Sequence, residues 1–275
     1  MTTPDTQERL LAKAIEMQGT PAFADHLNAW LYSVAKQDNT TLLAYYKDRT
    51  PQLLMSDSFI PDVHRHMKNV YLAGAYLLDP FYEVHQRKEA AGVYRIWDIA
   101  PDQFPRNRSF IEYYRRTTIV DEIGFVAWPL PDMSIHLCLG RDARSEQKFS
   151  TKELAAAQRI APLVEALVCK QWSDIRFAGE GEDETAPQRI ARLVYESRGI
   201  TLTNRQSEVA FHVLQGHSST SIGLRLGISH QTVKVFRKQL YKRCGVSSQA
   251  ELFGLLLPLL TLSNDPFALS KEGTL

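Results

Sequence analysis

Between Leu202 and Leu257 three short helical stretches are punctuated by glycines, and the turn before the third, Gly227-Ile228-Ser229, leaves the chain few ways to fold. Thr203 is a good N-cap, and Gln206 stands three residues on, at capping-box spacing. Val209, Ala210, Val213 and Leu214 recur at helical spacing as a buried face. Gly216 then ends the helix, as a glycine past the last turn commonly does. The next stretch, about Ser219 to Leu226, buries Ile222 and Leu226. Gly227 permits the left-handed turn, Ile228 plugs the core, and Ser229 caps the following helix. A helix, a tight turn and a second, basic helix is the sequence form of a helix-turn-helix.

The faces of that basic helix separate cleanly. Val233, Phe236, Leu240 and Cys244 share one face and are expected to pack inward. Gln231, Lys234, Val235, Lys238 and Lys242 share the other. A core does not tolerate so many ammonium groups, because burying each unpaired charge costs several kcal/mol. An exposed lysine strip with one small apolar residue suits a DNA major groove. Lysine donates to guanine O6 and N7, glutamine pairs with adenine, and valine touches a thymine methyl. Arg237, Lys242 and Arg243 suit phosphates, and the helix start around Ser219 and Thr220 is a further phosphate position. Charge distribution agrees. The whole chain carries a net charge of only +1. From Thr201 to Leu262, however, seven basic residues face two acidic ones, giving +5. The predicted DNA-binding residues are therefore Gln231, Lys234, Val235, Arg237, Lys238, Lys242, Ser219 and Thr220.

The segments Leu-Thr-x-Arg-Gln-x-Glu-Val at 202–209, Leu-Gly-Ile-Ser at 226–229, Thr-Val-Lys-Val at 232–235 and Gly-Val-Ser-Ser-Gln-Ala-Glu-Leu at 245–252 resemble the LuxR-type (NarL/FixJ-like) DNA-binding domain. The resemblance covers Leu202 to about Leu257. It implies a four-helix domain that binds DNA as a homodimer on an inverted-repeat operator, with base-reading positions at Lys234, Val235 and Lys238. Three departures stand out: Asn204 where the family usually has proline, Phe236 where it has histidine, and Thr220, Ser221 and Gly223 where it has Lys, Glu and Ala. The missing lysine is expected to weaken one phosphate contact. The fourth helix, from Ser248, is rich enough in leucine to suggest a dimer face as well as a core face.

Upstream, Glu8 to Met17 and Phe23 to Val34 carry apolar residues at helical spacing. Thr41 to Lys47, Gln52 to Met55 and Tyr94 to Trp97 read as strands, and His64 to Leu78 and Ser109 to Arg115 as helices. Ile123 to Leu130 and Met133 to Gly140 form a hairpin joined at Pro131-Asp132. Thr151 to Gln171 is a long helix capped by Ser150 with Glu153 as its box partner. The expected fold class is α+β: an N-terminal α/β/α sandwich with a central antiparallel sheet, followed by an all-α four-helix helix-turn-helix domain. The expected boundaries are a ligand-sensing domain at 1–172, an acidic linker at 173–200, a DNA-binding domain at 201–262 and a tail at 263–275.

The N-terminal part lacks the acidic cluster of a phosphorylation receiver and lacks a P-loop. A small-molecule sensor remains. The stretch from Tyr71 to Tyr114 is dense in aromatic residues, which in a sensor form the wall of a pocket with few polar groups. Tyr71, Tyr76, Phe81, Trp97, Tyr113 and Trp128, with Asp79, are the predicted ligand-binding residues. This part resembles the autoinducer-binding domain of LuxR proteins and the related GAF/PAS sensors, in the manner of a LuxR solo. In those domains an Asp-Pro pair holds the ligand amide, and Asp79-Pro80 is similar to it. The flanking tryptophan and tyrosine spacing departs from the pattern, so the resemblance does not specify an acyl-homoserine lactone. Asp79, Asp98, Asp121 and Glu122 beside aromatics favour a cationic or amide-bearing effector. The alternative is control by a protein partner through the same part of the chain.

Three widely spaced cysteines, Cys138, Cys169 and Cys244, offer neither a disulfide framework nor a zinc spacing. His64, His66, His85 and His136 are the candidate bases or ligands, but His64 and His66 face different sides of a helix and no Gly-x-Ser-x-Gly motif is present, so neither catalysis, nor a metal, nor a cofactor is expected. Without a signal peptide or a membrane-length apolar run, a cytoplasmic location is expected. The sequence thus predicts an effector-responsive, DNA-binding transcription regulator.

Overall fold

The computed structural model describes residues 4–47, 49–65, 67–104, 119–174 and 184–261. The predicted helix over 109–115, Tyr113 with it, and the tail over 263–275 lie outside them. The chain divides into two compact units, and the division does not follow the sequence linearly. The first unit takes residues 1–65, 84–99 and 117–181. The second takes 66–83, 100–116 and 182–275. Residues 67–83 and 100–104, which a linear reading assigns to the sensor, thus sit with the helix-turn-helix.

The first unit opens with helices α1 (Pro4–Glu16) and α2 (Phe23–Ala35). Strands β1 (Asn39–Tyr46) and β2 (Gln52–Ser58) follow, and after helix α3 (Pro80–Gln86), of which only residues 84–86 belong to this unit, come β3 (Gly92–Arg95) and one helical turn, α4 (Ile96–Ile99). Strands β4 (Asp121–Leu130) and β5 (Met133–Arg141) and the long helix α5 (Thr151–Gln171) complete it. The five strands form one antiparallel sheet in the order β2-β1-β5-β4-β3. The hairpin turns at Pro131-Asp132, as the sequence predicts, because proline and aspartate favour a turn between two apolar runs. Ser150 and Glu153 form the expected reciprocal capping box at the start of α5.

Side chains alternate across the sheet. Leu42, Ala44, Ile123, Phe125, Ile135, Leu137 and Leu139 face α2 and α5, which contribute Phe23, Leu27, Leu31, Ala157, Val164 and Val168. Each such fully buried aliphatic or phenyl side chain stabilises the fold by roughly 1.5–3 kcal/mol. Along β1 and β5 every residue is buried, so the second face of the sheet is also shielded from water.

In the second unit the predicted helix over 64–78 is instead a broken series: a 3₁₀ turn at Pro61–His64 in the first unit, a π-helical turn at Met67–Tyr71 and a 3₁₀ turn at Ala75–Leu78. The reason lies at Gly74. A Cβ there would stand 2.2 Å from the Leu260 carbonyl oxygen, so only glycine admits this approach. Arg189 of helix α6 (Ala186–Arg198) ties the same place together, with Nη2 donating to the Ala73 carbonyl at 2.8 Å. The fold then runs through α7 (Asn204–Gln215), α8 (Ser219–Leu226), α9 (His230–Cys244) and α10 (Gln249–Thr261). Thr203 and Gln206 form the expected capping box, and Gly227 adopts the left-handed conformation, φ 66°, that turns the chain between α8 and α9. The leucine excess of α10 goes inward: Leu252, Phe253, Leu256 and Leu260 are buried within the unit, whose 67–78 segment packs against this helix. Leu255, Leu257 and Leu259 of the same helix are only half-buried.

Candidate functional sites

Helix α9 presents its charges outward for a simple reason. Val233, Leu240 and Cys244 anchor it in the core, and the opposite face then points to solvent. Gln231, Lys234, Lys238 and Lys242 are exposed, and Val235 is 54% exposed, one of few large apolar side chains so placed. Phe236 is half-buried at the margin between the two faces. A groove of about 580 Å³ brings Lys234, Arg237, Lys238 and Lys242 together with Ser219 of α8. Tyr241, Val246 and Ser247 line it too. The sequence reading missed these three, although Tyr241 follows Lys234 and Lys238 at the helical intervals that mark one face. Thr220 is exposed on α8 but does not line the groove.

The basic residues of this unit are not equivalent. Arg237 Nη2 donates to the Tyr241 hydroxyl at 3.0 Å and to Gln249 Oε1 at 3.2 Å, and Nη1 reaches Ser219 Oγ at 3.4 Å. It therefore cross-links α8, α9 and α10. Arg243 donates to the Thr201 carbonyl at 2.6 Å and to Gln206 at 3.1 Å. Arg205 pairs with Glu208 and Arg225 with Glu83. Lys234, Lys238 and Lys242 of α9, by contrast, are exposed on one face of the helix.

The predicted effector residues fall in two places. Asp79, Tyr71, Tyr76 and Phe81 cluster in the second unit. The Tyr71 hydroxyl donates to Asp79 Oδ2 at 2.6 Å, and the Phe81 N–H donates to Oδ1 at 2.8 Å. Tyr76 packs 6.5 Å from the Tyr71 ring. Burial pushes the Asp79 carboxyl up to about 6, against the lowering effect of those two hydrogen bonds. Both oxygens of Asp79 are thus engaged within the chain. Trp97 and Trp128 belong to the first unit. Trp97 is 38% exposed beneath the Lys148 ammonium. Of the other acids, Asp121 is buried and bound by Arg95 at 2.7 Å and by the Phe149 N–H at 2.9 Å.

Trp128 points to a cluster whose two histidines the sequence reading weighed only as bases or ligands of an enzyme. It stacks on His85, with ring centroids 5.4 Å apart, at the second face of the sheet. His85 Nδ1 lies 2.7 Å from Ser134 Oγ, which lies 2.9 Å from His136 Nε2. Tyr45 packs edge-on against His136. Ser134 and His136 are fully buried and His85 is 4% exposed. Burial pushes His85 down to about 4, opposed by a hydrogen bond to the Tyr46 backbone. Burial and then the neighbouring His85 hold His136 well below the usual imidazole range. Both rings are therefore neutral near pH 7. One hydroxyl proton cannot serve both, so Ser134 donates to one ring and accepts from the other, which locks complementary tautomers. The signal in the sequence was the alternation of Ser134, His136 and Cys138 in an otherwise apolar strand.

The model of the bacterial regulatory proteins of the luxR family, GerE, matches residues 200–256, which span the helix-turn-helix. An HTH-type transcriptional regulator from the exeN 3′ region of Aeromonas salmonicida is 30% identical over 186 residues, covering 65% of this chain and 93% of that protein. The chain belongs to the LuxR family of bacterial regulatory proteins. Among solved structures, the VqsR LBD domain from Pseudomonas aeruginosa matches with a TM-score of 0.52 at 25% identity, covering 62% of this chain and 98% of that domain. Escherichia coli SdiA matches with a TM-score of 0.41 at 15% identity, covering 93% of this chain and 98% of that one. This LuxR-family regulator thus joins a DNA-binding helix-turn-helix to a sensor-type α+β fold. No helix among its described residues is long and apolar enough to cross a membrane.

Proposed function

We propose that this LuxR-family chain is an effector-responsive transcription regulator that reads DNA with α9 and senses a small molecule through the second face of its sheet. Lys234, Val235, Lys238 and Gln231 read base edges, while Lys242 and the start of α8 hold phosphates. The chain acts as a homodimer on an inverted repeat, as two copies of α9 related by a two-fold axis require. Effector binding favours one of two arrangements of the chain and so changes its affinity for DNA.

The observation that carries the sensing half is the buried His85–Ser134–His136 relay beside Tyr45 and Trp128, in a fold similar to the VqsR LBD domain. A purely structural sheet face is better filled with apolar side chains, because each buried polar group must be hydrogen-bonded merely to break even. Neutral imidazoles and a hydroxyl suit an uncharged or amide-bearing effector that exchanges hydrogen bonds with the relay and lays an apolar surface on the rings.

The test is tryptophan fluorescence and DNA affinity of the full chain, measured with and without the low-molecular-weight fraction of a cell extract. The expected result is a saturable emission change in the wild type that Trp128→Phe diminishes, accompanied by a shift in DNA affinity. DNA binding that no fraction alters, together with specific capture of a protein by residues of the first unit, would replace the small molecule by a protein partner.

A further inference from the structure

The turn between α7 and α8 is held by residues more than a hundred positions away in sequence. Asp102 Oδ1 accepts from the N–H of Ser218, the N-cap of α8, at 2.9 Å. Next to it, the Gln103 N–H donates to the Gly216 carbonyl at 3.0 Å. On the same helix pair, Glu83 Oε1 lies 2.5 Å from Arg225 Nη1, and Oε2 lies 3.6 Å from Nε2 of the buried His217. His217 in turn meets Ser221 Oγ through Nδ1 at 3.0 Å. Two carboxylates from outside the helix-turn-helix sequence are thus built into its unit, at the start and along the side of α8.

Their position matters because of what adjoins them. Ser219, one residue beyond the N–H that Asp102 accepts, lines the same groove as Lys234, Lys238 and Lys242. A DNA strand lying along that groove would bring its phosphates toward the start of α8. Asp102 is solvent-exposed, so its charge acts on whatever approaches. Glu83 neutralises Arg225, one of the seven basic residues of the segment. Like charges within a Debye length, roughly 10 Å at 0.1 M salt, repel. We infer that Asp102 and Glu83 form an autoinhibitory clamp on the α7–α8 turn, which duplex DNA must displace in order to engage α9 fully. This rests on the reading of α9 as the DNA-facing helix. The clamp residues lie in 67–83 and 100–104, on either side of a segment of the sheet unit, 84–99.

The experiment is fluorescence anisotropy of the full chain with a short mixed-sequence duplex at low and moderate salt. Asp102→Asn keeps an amide oxygen to accept the Ser218 N–H, so the fold is retained while the charge is removed. The variant is expected to bind about three- to tenfold more tightly at low salt, with the gain shrinking as salt rises. Glu83→Gln combined with Asp102→Asn is expected to gain further. Equal or weaker binding by both variants overturns the clamp. A second readout is hydrogen exchange at Gln103 in the wild type, whose N–H is bonded in the free chain. It is expected to lose protection when DNA saturates the protein, and retained protection overturns the proposal. If the chain binds no duplex even at low salt, the DNA-facing reading of α9 falls with it. If Lys238→Ala weakens binding while Asp102→Asn changes nothing, the clamp alone falls.

Discussion

Helix α9 and the second face of the sheet both carry polar side chains where a plain scaffold would not need them, but they solve opposite problems. On α9 the lysines stay exposed to water, so each remains available to a polyanion. On the sheet, His85, Ser134 and His136 are stripped of water, held neutral and hydrogen-bonded to one another in a row. On the proposed reading, the first arrangement contributes to binding and almost nothing to folding. The second is coupled to folding, because a buried polar group that loses its partner costs about 1–3 kcal/mol. Substitutions in the two regions are therefore expected to separate stability from DNA affinity.

The largest expected effect is at the sheet. His136→Ala removes a fully buried ring and one end of the relay, and is expected to lower unfolding free energy by about 3 kcal/mol or more in urea titration. A loss below about 1 kcal/mol would mean the relay is loosely held and the contrast is weaker than drawn. Next comes Asp79, a buried group that is charged near neutrality. Its folded pKa of about 6 stands above the ordinary 3.8, so its favourable contribution is complete below pH ~4 and is lost as pH rises through about 6. Asp79→Asn is accordingly expected to gain about 2–3 kcal/mol relative to wild type between pH 4 and pH 7. A difference independent of pH would show that the carboxyl titrates normally. His85 works with the opposite sign: its folded value of about 4 lies below the ordinary 6.5, so its contribution is present above pH ~6.5 and lost as pH falls through about 4.

On α9, Lys234→Ala and Lys238→Ala are each expected to cost about 1–3 kcal/mol at a specific site while leaving thermal melting unchanged. Melting that falls along with affinity would erase the distinction between the two regions. Arg237 sharpens it from within the same helix. Its guanidinium is hydrogen-bonded to Tyr241 and Gln249, so Arg237→Met is expected to lower stability by about 1 kcal/mol, which neither lysine substitution does.

The same contrast explains what the sequence reveals. Exposed charge on a helix is written in the spacing of Lys234, Lys238 and Lys242, and the caps at Thr203, Ser229 and Ser150 are local motifs that need no partner elsewhere. The β4–β5 hairpin is legible for the same reason. The relay is not, because His85 and Ser134 are 49 residues apart and meet only once the sheet has formed. Nor is the broken helix around Gly74, which yields to a carbonyl of Leu260, a residue at the far end of the chain. Arg237 reads as a phosphate ligand by spacing alone, and only the positions of Tyr241 and Gln249 reveal its second task. Asp79 reads as a ligand anchor by resemblance, yet Tyr71 and Phe81 already engage both of its oxygens.

The central claim, that the exposed face of α9 reads base sequence, is tested most directly by selecting bound duplexes from a randomised pool. The wild type is predicted to enrich one motif with two-fold symmetry. Lys234→Ala combined with Lys238→Ala is predicted to lose base preference at the same positions in each half-site while still binding duplex DNA. An identical motif recovered with the double variant would contradict the account.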